Sequence, residues 1–358
     1  MTPYWLLFAL PALLALTQPG PSQRYRRQWP AEWWAAYLVL VAMIGLRHEV
    51  GGDWIAYLGH LEHAQTVSIW EALDDKDPAY SLLNWVVANQ GGSVHWVNTV
   101  CAALFSWGLI AFCRTQPRAW LALVVSVPYL VVVVAMGYTR QGTAIGLVML
   151  GLVSLTRNRL LPFVVWVALA ATFHKSAVIV LPLAMLAGTE RRGWNVLWIG
   201  AATVALFVLM VQESVESLAV NYLGREYESQ GAGIRVAMNA VPAVIFLLIP
   251  SRFNLLPAQR AFWTWMSIGA LVFIGLLAVS PSSTAVDRVA LYWIPLQLFV
   301  LARLPEALGP RHSKNTGWAA AVMCYSALVL FVWLVFGAFS YTWLPYRFYP
   351  IEQFFDLI

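Results

Sequence analysis

Apolar runs long enough to cross hydrocarbon recur along the whole chain, separated by short charged punctuation. A crossing helix needs about 20 mostly apolar residues, because inside lipid the backbone must satisfy its own hydrogen bonds. The runs predict crossings at Thr2–Thr17, Ala31–Leu46, Ser93–Cys113, Ala119–Gly137, Gly142–Thr156 and Leu160–Phe173. They continue at Ala177–Gly188, Trp194–Val211, Val236–Pro250, Ala261–Val279, Val289–Ala302 and Gly317–Phe339, about twelve in all. Ala177–Gly188 is too short to cross upright, and reads as a half-helix or as a segment that borrows length from its neighbours. The opening MTPYWLLFALPALLALT has no basic leader and no small-residue cleavage pattern, so a retained first crossing is expected.

Composition agrees. Only 11% of the residues are charged, against about 25% in a water-soluble domain, so most of the surface must face lipid. Nineteen Trp and fourteen Tyr suit rings that settle at headgroup depth. Cys101, Cys113 and Cys324 fall in apolar runs, odd in number and without regular spacing, which excludes a disulfide framework or a zinc site and leaves them as small hydrophobes. The expected fold is an all-α, polytopic integral membrane helical bundle, a single domain over residues 1–358.

Charge sets the orientation. One set of loops holds Arg24, Arg26, Arg27, Arg114, Arg118, Arg157, Arg159, Arg191, Arg192, Arg252, Arg260, Arg303, Arg311 and Lys314. The alternate set holds Arg47, Lys76, Arg140, Lys175, Arg225, Arg235, Arg288 and Arg347, together with every acid except Glu32, Glu190 and Glu306. The basic set is therefore expected in the cytoplasm, and both termini outside. Two outward segments exceed simple connections. The loop at 47–92 contains DDKD and then PAYSLLNWVVANQ, read as a periplasmic-side interfacial helix whose Tyr80, Leu83, Trp85, Val86 and Val87 face the membrane. The second outward loop is 212–235. The tail YTWLPYRFYPIEQFF, interrupted by proline, is not a further crossing.

The cytoplasmic basic residues follow from topology alone, whereas several outward ones sit hard against span ends, where a charge is costly. Arg47 follows a span in GLRHEVGGDWIAY, Arg140 lies in GYTRQGTA, His174 and Lys175 in TFHKSA, and Arg288 in AVDRVALY. Four basic hairpins facing one compartment suggest an electropositive chamber, and arginine's planar fork suits phosphate oxygens. The bland alternative is that each side chain reaches to the lipid headgroups, and it weighs most for Lys76, Arg225 and Arg235 in the longer loops. Candidate bases share these loops. Glu49 and Asp53 flank Gly51-Gly52, a pair that permits close backbone approach. Asp77, before Pro78, is read as a base or as a cap of the interfacial helix, and Asp287 as the ion-pair partner of Arg288. The Asp75-Lys76-Asp77 spacing carries little weight as a metal motif in an acidic solvated loop. His174 reads as a base, a phosphate ligand or a packed imidazole.

In this order, GLRHEVGGDWIAY, DPAYSLLNW, YTRQGTA, FHKSA, DRVALY and WLPYRFYP resemble the EpsG family of Wzy-like bacterial polysaccharide polymerases across nearly the whole chain. The pattern falls on Arg47, Gly51, Asp53, Tyr57, Asp77, Tyr80, Arg140, Gln141, His174, Ser176, Arg288 and Tyr292. Asp77 stands where family members often carry Glu, and Gly51-Gly52 where Gly-Thr is usual. The resemblance implies an inner-membrane enzyme of capsule, exopolysaccharide or O-antigen assembly. Such an enzyme joins repeat units carried on undecaprenyl diphosphate at the periplasmic leaflet, beside a flippase and a chain-length regulator. For that reaction Arg47, Arg140 and Arg288 are expected to bind diphosphate, assisted by Lys175 and His174. Asp53 is the first choice of general base and His174 the second. Tyr57, Asp77, Tyr80, Gln141 and Tyr292 are supporting residues. No cofactor, metal or nucleic acid is expected. The competing readings are a polyprenyl-phosphate-dependent transferase of a single sugar, a flippase or transporter of the lipid-linked glycan, and an acyltransferase using His174.

Overall fold

The computed structural model describes residues 1–17, 28–157, 159–185, 201, 231–280, 283–310 and 313–356, and its regular elements are helical apart from one two-residue strand pair. Helices α1 (Thr2–Thr17) and α2 (Ala31–Gly45) come first, then strand β1 (Arg47–His48). Three helices fill the loop at 47–92: α3 (Trp54–Ala64), α4 (Ile69–Leu73) and α5 (Pro78–Asn89). Helix α6 (Val94–Cys113) is followed by α7 (Ala119–Ser126), which runs on as a π-helix over Val127–Ala135. The widened stretch starts where Pro128 lacks the N–H that an α-helical ladder would use.

Helices α8 (Thr139–Leu155) and α9 (Leu160–Phe173) then form a hairpin, followed by a 3₁₀ helix at Lys175–Val180 and α10 (Leu181–Met185). The second half contains α11 (Ala232–Leu248), α12 (Pro257–Val279), α13 (Ser283–Ala290), α14 (Ile294–Leu301), α15 (Leu304–Leu308) and α16 (Thr316–Phe336). The tail supplies a 3₁₀ turn at Ser340–Trp343, strand β2 (Arg347–Phe348) and α17 (Tyr349–Asp356).

Among the described residues, four stretches are long and apolar enough to cross a bilayer by length and composition: Val94–Cys113, Pro257–Val279, Ser283–Leu301 and Thr316–Phe336. Six further apolar helices are shorter. The expected crossings at Thr2–Thr17 and Leu160–Phe173 match α1 and α9 end to end. Apart from residue 201, Trp194–Val211 lies outside the described residues, as do residues 212–230 of the expected second outward loop and Arg24, Arg26, Arg27, Arg191, Arg192, Arg225 and Arg311.

The centre is built by close backbone contact. In lipid there is little hydrophobic drive between helices, so association depends on packing, and small residues let backbones meet. A Cβ placed on Gly108 of α6 would come within 1.8 Å of the Gly146 carbonyl oxygen of α8, and one on Gly146 within 2.5 Å of the Phe105 Cα. The π-helix, α8 and α14 are buried almost throughout, whereas α12 and α16 turn Val272, Ile274, Leu328 and Phe336 outward.

The two ends of the bundle are tied together by different contacts. At the basic end, Arg118 Nε donates to Glu306 Oε1 at 2.7 Å and Arg118 Nη2 to the Lys314 carbonyl at 2.5 Å. Arg303 donates to Gln116, with its guanidinium 4.0 Å from the Phe299 ring centre. The opposite, acid-rich end holds the loop at 47–92 and both ends of the described chain. There the tail does more than avoid crossing. β2 pairs antiparallel with β1, the Tyr4 hydroxyl donates to the Trp343 carbonyl at 2.7 Å, and the Gly51 amide donates to the Thr342 carbonyl at 2.9 Å. Trp343 Nε1 in turn reaches the Val132 carbonyl of the π-helix at 2.7 Å.

Helix α5 buries one narrow face against the protein. Tyr80, Asn84 and Ala88 form its buried face, four residues apart, and Val86 is exposed. It packs on α3, α4, α6 and α9 and is part of a helical cap over the bundle.

Because the α6–α8 contact has no room for a methyl group, Gly108→Ala and Gly146→Ala are expected to lose about 1–3 kcal/mol by overpacking. Gly59→Ala, with nothing within 4 Å of its added Cβ, is expected to hold or gain stability. Thermal unfolding of the purified proteins in one detergent measures the contrast.

Candidate functional site

The acid-rich end gathers polar groups from hairpins far apart in sequence. Asp53 occupies the N-cap position of α3. It is reached through a turn in which Glu49 has φ 51° and Gly51 φ 105°. A Cβ on Gly51 would lie 2.5 Å from the Met136 carbonyl oxygen, so only glycine lets this loop approach the π-helix. Tyr138 takes the N-cap position of α8, which places Thr139 and Arg140 in the first turn. His174 ends α9, and Lys175 and Ser176 open the 3₁₀ helix. Arg288 lies in the last turn of α13.

Two arginines meet at this place. Arg140 Nη1 donates to Asp77 Oδ2 at 2.8 Å, while its Nε and Nη2 make no hydrogen bond among the described residues. The Lys175 amide donates to the other Asp77 oxygen at 3.2 Å. The Arg288 guanidinium lies 4.2 Å from the Tyr138 ring centre, and its backbone carbonyl accepts from Gln141 Nε2 at 2.5 Å. Burial raises the pKa of Asp53, and Arg288, Arg140 and His60 oppose that rise, as does the neighbouring Tyr57 hydroxyl. Asp77 behaves alike: burial raises it and outweighs the pull of Arg140 and Lys175.

His174 meets the same cations. Burial, then Arg140, Arg288 and Lys175, push its pKa down to about 3, so the imidazole is neutral. Its Nδ1 shares a 2.8 Å hydrogen bond with Ser176 Oγ, which also donates to the Tyr292 hydroxyl at 3.2 Å. Tyr57 and Tyr80 stack edge to face with ring centres 6.1 Å apart, and Arg140 lies 5.6 Å from the Tyr80 ring centre. Burial pushes Tyr57 up to about 12.

Asp53, Tyr57, Asp77, Tyr80, Arg140, Gln141, His174, Lys175, Arg288 and Tyr292 thus share one neighbourhood. Arg47 does not join them as a ligand. It is fully buried, and its fork is filled by the chain's own acceptors. Nε donates to the Val50 carbonyl at 3.1 Å, Nη1 to the Ile44 carbonyl, and Nη2 to Thr139 Oγ1 at 2.7 Å. A guanidinium so occupied cannot also grip a phosphate, and this corrects the expectation of three diphosphate-binding arginines.

Two smaller corrections follow. Asp287 pairs with Arg235 and not with Arg288, through two bonds of 2.7 Å. Arg235 is therefore a structural residue in the first turn of α11, and not a loop residue reaching for headgroups. Asp77 makes no capping bond, because its oxygens go to Arg140 and the Lys175 amide.

Thr139, Tyr138 and His60 are the site neighbours that sequence reasoning missed. Tyr138 and Thr139 stand beside Arg140 in YTRQGTA, but a ring face and a backbone amide leave no mark in a search for charges.

The family model of the EpsG family matches residues 33–348, nearly the whole chain. No curated protein and no solved structure matches the chain.

Arg47→Ala would strip three acceptors and leave a buried void, and is expected to cost about 3 kcal/mol or more. Membrane abundance and detergent thermostability should both fall, whereas Arg288→Ala, at a partly exposed site, should leave abundance near wild type.

Proposed function

The chain belongs to the EpsG family, a family of membrane proteins tied to polysaccharide biosynthesis, and from that premise we propose that it is a glycosyltransferase that polymerises lipid-linked oligosaccharide repeat units. The carrier is undecaprenyl diphosphate, and the acid-rich end faces the periplasm of the bacterial inner membrane. The shorter apolar helices complete a bundle of about twelve crossings. The observation that carries the proposal is that Arg140, ion-paired to Asp77 through one nitrogen, and Arg288, set against the Tyr138 ring with its carbonyl bonded to Gln141, come together from separate hairpins at one end of an apolar bundle.

The transfer breaks the bond between the anomeric carbon of the donor glycan and the oxygen of its lipid diphosphate. It forms a bond from that carbon to a hydroxyl of the acceptor unit. The hydroxyl proton goes to Asp53, and undecaprenyl diphosphate leaves with the electron pair. Negative charge grows on the leaving oxygen as the bond stretches, and prearranged guanidinium groups stabilise it most where water is scarce. Arg140 is oriented by Asp77 through one nitrogen, which leaves two nitrogens for phosphate oxygens. Arg288 is held from behind by the Tyr138 ring. Asp53 outranks His174 as the base, because a carboxyl raised by burial accepts a proton more readily than an imidazole held near 3. The apolar flanks confine both polyprenyl tails to the bilayer, so the reactants meet already aligned.

Arg140→Ala or Arg288→Ala in a host that makes the polymer should reduce elongation by about 10²–10³, leaving single repeat units on a normally inserted protein. Lysine at either position should restore little, since it cannot grip two oxygens at once. A normal ladder in both alanine variants would remove the diphosphate role, and a product with one added sugar would favour a single-sugar transferase. Asp53 must be ionised to take the proton, so polymerisation should fall as the pH drops through its raised pKa. The acid limb should lie above about 4, the ordinary carboxylate value. A pH profile in proteoliposomes checks this, and Asp53→Asn should abolish turnover across it.

A further inference from the structure

A helix leaves its first amides without partners inside the helix, and at α8 one of them has found an unusual acceptor. The Thr139 amide donates to the Tyr57 hydroxyl at 2.8 Å. Tyr57 belongs to α3, one turn after Asp53, so a single oxygen joins the helix that carries the candidate base to the helix that carries Arg140. The same residue is fixed on its other side. Arg47 Nη2 donates to Thr139 Oγ1 at 2.7 Å, Thr139 Oγ1 donates to Asn98 Oδ1 at 3.4 Å, and Thr143 Oγ1 donates to the Thr139 carbonyl at 2.8 Å.

A phenol has one proton to give. An amide N–H approaching its oxygen takes a lone pair and cannot receive that proton, which must turn elsewhere. The carboxylate one turn back on the same helix is Asp53, at the N-cap of α3, and the Tyr57 hydroxyl favours its ionised form. We propose that Tyr57 is a positioning residue for Asp53: receiving the Thr139 amide directs its single proton to the Asp53 carboxylate and fixes that carboxylate relative to Arg140. Arg47 and Thr139 serve the same end from behind, by holding the first turn of α8 in place. The proposal rests on Asp53 as the base of the transfer described above, but its physical content does not depend on the substrate.

The groups that face Asp53 are Arg288, Arg140, His60 and Tyr57, with Tyr138 also within electrostatic reach. Burial raises its pKa and these cations and the phenol lower it, so loss of the phenol proton must move the titration upward.

The test is an infrared titration of the purified full-length protein in nanodiscs, following the carboxyl band that disappears in Asp53→Asn. In Tyr57→Phe the midpoint should rise by about one pH unit, the size of one lost hydrogen bond to a charged oxygen. Thr139→Ser keeps both the amide and the hydroxyl and should retain the wild-type midpoint. Thr139→Val keeps the amide but releases Arg47, and should shift it upward by a smaller step, which supplies the readout if Tyr57→Phe does not accumulate. An unchanged midpoint in Tyr57→Phe, or in Thr139→Val where that variant alone is available, overturns the proposal. A shifted midpoint with an unaltered polymer ladder and acid limb upholds the positioning and sinks Asp53 as the base instead.

Discussion

A guanidinium taken out of water must place its donors, and in this protein that requirement organises one end of the molecule. Arg47 is wholly enclosed, and its fork ties the end of α2 at Ile44, the loop at Val50 and the first turn of α8 at Thr139. The neighbouring residues bind the tail: Arg47 and His48 pair with Phe348 and Arg347, and the Tyr349 amide reaches the Leu46 carbonyl at 2.8 Å. Leaving such a charge without acceptors would cost more than most single interactions contribute. The loop, the tail and the α8 turn are therefore held as one unit, and the candidate site is built on its surface.

On that surface the balance between burial and attraction differs from group to group. Asp53 and Asp77 are both raised by burial against the same arginine, but only Asp77 is paired with it directly. Pairing commits Asp77 to orienting Arg140. Asp53 forms no ion pair with either arginine and is the carboxylate that the Tyr57 hydroxyl favours in its ionised form. His174 meets the same cations with the opposite result, because positive neighbours and burial both disfavour its charged form. Two groups that look alike as bases in sequence are thereby separated by their surroundings.

Much of the bundle was legible in the sequence, since hydrophobic length and arginine placement report directly on lipid. α1 and α9 fall on their predicted bounds. The cap was less legible. α3 and α4 are amphipathic or short, so no long apolar run marks them. At the site, charge next to a span end correctly drew attention to Arg140, His174, Lys175 and Arg288. The same signal misjudged Arg47 and Arg235, because a basic residue beside a span looks identical whether its partner is a ligand or the chain itself. Only distances to Val50, Thr139 and Asp287 distinguish these cases.

That distinction also accounts for the breadth of the sequence pattern around the site. Gly51 is needed for approach to Met136, Gln141 for the carbonyl of Arg288, and Ser176 and Tyr292 for the imidazole of His174. None of these side chains carries charge to a substrate. Each holds a backbone turn or a ring that would otherwise be free to move where a helix emerges from the bundle. Two guanidinium groups and a carboxylate, delivered by three hairpins with no covalent link nearby, hold a common geometry only if such neutral contacts outnumber them. In this protein they do, and the short motifs of the outward loops read as the structural frame of the site as much as its chemistry.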